Sequence, residues 1–224
     1  MRFAAVFLLA GAMAAQTPSD EKRAALGKAL AVTYSRSVNI IRDSKLQRYV
    51  DELARRLSPG EWHIAVIREE KGGPTHEPTA YPAGYLFVPA SLIVNSQNEA
   101  EFAAMLAHAM AHSLDRSAGP VFFDGESAVP RSFLPRQRQS EIDADARAVQ
   151  MLAAAKFPPY ALLDYLSRTP SFAPQRLQAL EDAVHSAPPV APTPSSPEFE
   201  RLRTELIPLA RPATPRRAPS LQRP

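Results

Sequence analysis

NEAEFAAMLAHAMAHSLDR, residues 98–116, is rich in Ala, Leu, Met and Glu and contains neither Gly nor Pro, a composition that predicts a helix. His108 and His112 stand four residues apart within it. On a helix both imidazoles then project from one face, one turn apart, and can share a single tetrahedral zinc ion.

The zinc-peptidase signature on a helix is H-E-x-x-H, with the Glu as general base. This chain reads His108-Ala109-Met110-Ala111-His112, so the metal-binding half is present and Ala109 stands where the proton-transferring carboxylate belongs. Neighbouring acids replace it poorly. Glu101 precedes His108 by two helical turns, about 10 Å along the axis, whereas a base must come within about 3 Å of its proton or act through one water. Asp115 faces away from the metal side. Loss of the base alone is worth about 10²–10⁴-fold in rate.

A third ligand is supplied by the next strong helical pattern, SEIDADARAVQMLAAA, residues 140–155, for which Ser140 is the expected cap. Glu141 opens it as a carboxylate ligand. Asp145 lies four residues on, on the same face, where it can accept a hydrogen bond from a ligand imidazole and fix its tautomer. Asp143 falls on another face and is expected to be solvated. The chain has no cysteine, so a metal must be held by His, Asp or Glu.

Outward from this centre, residues 21–32 and 43–57 read as helices, the second capped by Asp43 or Ser44 with Leu46, Tyr49, Val50, Leu53 and Leu57 on one stripe. Residues 62–67 and 85–88 read as strands, 160–167 and 174–185 as short helices, and 120–138 as a loop. Residues 1–15 carry a basic start, a short apolar run and an A-x-A site, the pattern of a secretory signal, and the run is too short to span a membrane. Residues 16–186 then form one domain. Residues 187–224 are dense in Pro, Ser and Arg and are expected to be largely disordered, with only 198–209 able to form a docking helix. A net charge of +3, with much of the Arg excess in the tail, gives no reason to expect nucleic-acid binding.

Four blocks together resemble the HExxH metalloendopeptidases that include the CaaX prenyl proteases, the mitochondrial Oma proteases and the periplasmic BepA proteins. Glu77-Pro-Thr-Ala-Tyr-Pro-Ala-Gly-Tyr-Leu-Phe-Val88 resembles that family's N-A-F-A-x-P-G-G-x-I-x-V strand. Residues 98–112 resemble its N-E-x-E-L-A-x-V-L-A-H-E-x-x-H helix, 141–145 its E-x-x-A-D motif, and 169–177 its H-P-x-x-x-x-R-I segment. The resemblance covers roughly residues 24–180. It implies an α+β, mostly helical, zincin-like domain with a small sheet whose edge strand lies beside the metal helix. It further implies His108, His112 and Glu141 as ligands of one zinc ion, Asp145 behind them, and Arg176 near the metal, where it stabilises a developing oxyanion. Gly84, Tyr85, Leu86 and Phe87 match the strand that pairs with an extended polypeptide substrate. The departures are Ala109, Ala83 for the first Gly of P-G-G, Glu77 for Asn, Thr169 for His, and Ser117 for a His.

Two histidines four apart in an Ala-rich helix are, alone, more often ordinary side chains than ligands; Glu141, Asp145 and the four blocks together reverse that weighting. His63 reads as a surface residue, His76 as a weak site candidate and His185 as a helix-end residue. The functional expectation is an exported zinc metalloendopeptidase-type protein, impaired or inactive because of Ala109. The alternatives are a non-catalytic module that holds unfolded envelope proteins, and a scaffold acting through its Pro- and Arg-rich tail.

Overall fold

The computed structural model describes residues 18–68, 76–115, 138–168 and 174–210. The elements are α1 Pro18–Ser35, β1 Asn39–Ile40, α2 Ser44–Leu57, β2 His63–Arg68, β3 Thr79–Tyr81, β4 Tyr85–Pro89, α3 Ala90–Asn95, α4 Glu99–Leu114, α5 Arg138–Ala154, α6 Ala161–Ser167, α7 Pro174–Ser186 and α8 Pro197–Leu206. This is an α+β fold, mostly helical, with one four-stranded mixed sheet. The signal pattern of residues 1–15, the loop 120–137, and the departures at Ser117 and Thr169 lie outside the described residues.

α4 is the axis of the molecule. All of its residues from Glu99 to Ser113 are buried, as befits a helix with apolar or small side chains all round. Asn98 caps it, its side-chain oxygen accepting the Glu101 N–H at 3.0 Å. The capping oxygen expected at the start of α2 is that of Asp43, which accepts from the N–H groups of Lys45 and Leu46 at 2.8 and 2.9 Å. The predicted stripe Leu46, Tyr49, Val50, Leu53 and Leu57 is buried. α5 begins at Arg138, so Ser140 lies inside its first turn rather than at the cap.

The sheet runs β1-β2-β4-β3, with β4 parallel to β2 and antiparallel to β3. β4 is therefore bonded on both sides. This corrects the expectation that residues 84–87 form an open edge: Tyr85, Leu86 and Phe87 have no free backbone edge, and Gly84 belongs to the preceding turn. The near-continuous apolar run of β4, buried from Leu86 to Pro89, is the mark of an interior strand. The edge beside α4 is β3, and all three of its residues are buried.

The β3–β4 turn places Ala83 where glycine would be the less strained residue. Ala83 has φ 60° and Gly84 φ 85°, so both positions of the P-G-G block demand left-handed backbone, which glycine adopts without strain. A Cβ at Gly84 would also lie 2.7 Å from the Glu61 carbonyl oxygen. Ser113 of α4 ties this turn to the axis: its hydroxyl accepts from the Gly84 N–H at 2.7 Å and donates to the Tyr81 carbonyl at 2.5 Å.

The C-terminal segment forms the helix expected within 198–209, and that helix is part of the core. Helix α8 inserts Phe199, Leu202 and Leu206 into the main core, each at most 3% exposed. Phe199 lies against Tyr49 and Phe102, at ring centroid distances of 6.3 and 6.1 Å. Ser196 caps α8 through the Phe199 N–H, and both its N–H and its hydroxyl donate to Glu99 at the start of α4. The folded unit therefore extends past residue 186 to at least 206.

Candidate metal centre

Four elements converge on His108 and His112. α4 carries the two rings, α5 brings Glu141 and Asp145, α7 brings Arg176, and the segment leading into β3 brings Glu77. The close packing of α4 on α5 follows from small facing side chains, among them the buried Ala107, Ala111, Ala144 and Ala148. The Nε2 atoms of His108 and His112 are 3.1 Å apart. Glu141 reaches His108 with Oε2 at 3.6 Å and His112 with Oε1 at 3.4 Å. Glu77 Oε1 lies 3.2 Å from His108 Nε2. One ligand atom from each of Glu77, His108, His112 and Glu141 falls within 4.8 Å of all the others, so this group can hold a metal ion.

The surroundings hold these groups in place. His108 Nδ1 sits 2.8 Å from Asp145 Oδ1, although its N–H is not well aligned on that oxygen, so the contact is an ion pair rather than a straight hydrogen bond. Arg176 forks onto Asp145 at 2.6 and 2.8 Å and donates to Glu141 Oε2 at 2.9 Å. With Oε2 occupied in this way, Glu141 Oε1 is the oxygen turned toward His112. Arg176 thus reaches the predicted site as a clamp on two carboxylates.

Electrostatics agree with this geometry. Burial opposes a charged His108 ring, but Asp145 and Glu77 outweigh it and push its pKa up to about 9. Burial likewise opposes ionisation of Asp145, but the Arg176 and His108 contacts hold its carboxyl below the usual range. Three carboxylates against one guanidinium leave two negative charges when both rings are neutral, which a divalent cation would balance. The donors are nitrogen and oxygen, a set that suits zinc and other divalent first-row metals.

Ala109 is 1% exposed and belongs to the main hydrophobic cluster. Glu101 is engaged elsewhere, its oxygens taking two donors of Arg168 at 2.6 and 2.7 Å and the Gln97 N–H at 2.7 Å. A cleft of about 470 Å³ opens beside His112 between α4 and α5, lined in part by Asp115, Asp143 and Arg147. The other histidines lie apart from the cluster. His63 stacks on Tyr85, His76 Nε2 is 3.0 Å from Asn95 Nδ2, and His185 is exposed at the end of α7.

Sequence reasoning treated Glu77 only as a replacement for Asn, and did not single out Ser113. Glu77 precedes His108 by 31 residues with no shared periodicity, and only the fold brings the two together. For Ser113 a signal existed, since a small hydroxyl buried beside the second ligand of an otherwise apolar helix calls for a partner.

No family model matches this chain, and no curated protein matches it.

Proposed function

We propose that this protein binds one zinc ion in a metallopeptidase-type fold, and that Ala109 leaves it with impaired peptide hydrolysis. The observation that carries the reading is the meeting of His108, His112 and Glu141, with Asp145 behind His108 and Arg176 clamping both carboxylates. When bound, zinc supplies Lewis acidity toward a water or a peptide carbonyl. The chain's own residues orient the His108 ring through Asp145 and hold Glu141 through Arg176. No carboxylate at position 109 accepts a proton. The leader pattern of residues 1–15 makes the protein an exported one in this proposal.

The test is elemental analysis of purified protein. About one zinc per chain is expected, falling to background in His108→Ala, with casein cleavage at or near the level of a chelated control. Equal zinc in the wild type and His108→Ala would overturn the reading.

A second reading is favoured by the cleft beside His112, which persists although position 109 offers no base. On that reading the protein holds extended polypeptide without cutting it. Chelator-independent capture of unfolded casein, with no cleavage products, would select it.

A further inference from the structure

We propose that Glu77 is a fourth protein ligand, so that the metal sits in a closed two-histidine, two-glutamate sphere with no position left for water or substrate. The inference rests on the metal-site reading above and deepens it. A catalytic zinc site keeps three protein ligands and one open position, whereas a structural site fills all four. With metal–ligand bonds of about 2.0–2.2 Å, neighbouring ligand atoms of a tetrahedron stand about 3.4 Å apart. The separations here are 3.1 Å between the two imidazole nitrogens, 3.2 Å from His108 to Glu77, and 3.4 and 3.6 Å from the rings to Glu141. Glu77 Oε1 meets the spacing to His108, and a carboxylate oxygen of Glu77 lies within 4.8 Å of a ligand atom of each of the other three residues.

Its position is equally telling. The side chains of His108, His112 and Glu141 are 1–7% exposed, while that of Glu77 is 21% exposed. Glu77 is therefore the most exposed of the four, on the rim of the cluster. The backbone keeps it there. Pro78 follows and restricts Glu77 to extended conformations, β3 begins at Thr79, and the ring of His76 is tied to Asn95 at 3.0 Å. The same change that departs from the Asn of the resembling family thus supplies a ligand.

The full chain loaded with Co²⁺ tests this by visible absorption, with azide as the probe for an open position. Wild type should show a four-coordinate spectrum that azide leaves unchanged. Glu77→Gln and Glu77→Asn should give spectra that azide shifts, and zinc affinity, measured by chelator competition, should fall at least tenfold. A wild-type spectrum that responds to azide, or affinities within twofold of wild type in both variants, would overturn the proposal while leaving three-residue binding intact. Failure of the wild type to take up Co²⁺ or Zn²⁺ at all would instead overturn the metal-site reading beneath it. Should either variant fail to fold, the azide response of the wild type still decides.

Discussion

Position 109 concentrates the chemistry of the site, and its burial changes what a repair can do. A carboxylate introduced there enters an apolar cluster at 1% exposure, where an unpaired buried charge costs several kcal/mol. Ala109→Glu is therefore expected to lower the melting temperature of the metal-free protein. With Glu77 closing the sphere, it should also yield little hydrolysis by itself. Ala109→Glu combined with Glu77→Asn should cleave casein within the general-base range of about 10²–10⁴-fold above either single variant. Equal activity in the single and double variants, read by peptide release, would contradict that coupling. Asp145 gives a cleaner test, because it touches His108 and Arg176 and is not itself in the ligand group. Asp145→Asn should weaken zinc binding about 10–100-fold, measured by chelator competition, with the helical circular dichroism retained.

Helices and strands were legible in the sequence to the extent that their own residues determine them. α2 shows its cap and stripe, and α4 shows its Ala-rich run between Asn98 and Asp115. β4 was legible as a strand but not as an interior one, because partners far along the chain in β2, such as His63 opposite Tyr85, set its place. The ends of helices were less legible where they rely on unusual backbone. α5 closes with the Phe157 N–H donating to the Leu152 carbonyl and the Lys156 N–H to that of Ala153, with Lys156 at φ 60°. That is the glycine-preferring closure of a helix, occupied here by lysine. Lys156→Gly should raise stability by about 1 kcal/mol, seen as a higher urea midpoint with unchanged slope. A lower midpoint would mean that the lysine stem contributes packing that outweighs its backbone strain.

Across the whole molecule, three of the four candidate ligands could be argued from the sequence, while Glu77 and the place of the C-terminal helix in the core could not. Both depend on contacts spanning 31 to about 100 residues, which no local pattern records. The clasp of α8 is a large part of the core. Phe199→Ala should cost about 3–5 kcal/mol, measured by denaturant unfolding, and a chain cut before Pro197 should lose cooperative melting. A truncated chain that melts as sharply as the full one would show α8 to be an accessory.

A ribosome makes a chain from its N-terminal side. Tyr49, Glu99 and Phe102 therefore emerge long before the helix that covers them, and Glu99 meets Ser196 only 97 residues later. Until then the aromatic faces of α2 and α4 stay wet, and the two-histidine helix lacks part of its enclosure. The core around Phe199 closes only after the whole span from Tyr49 to Phe199 has been made. A core closed by a segment so distant in sequence is a slow-folding one, because the entropy of closing the long loop is lost before the Tyr49–Phe199 contact forms.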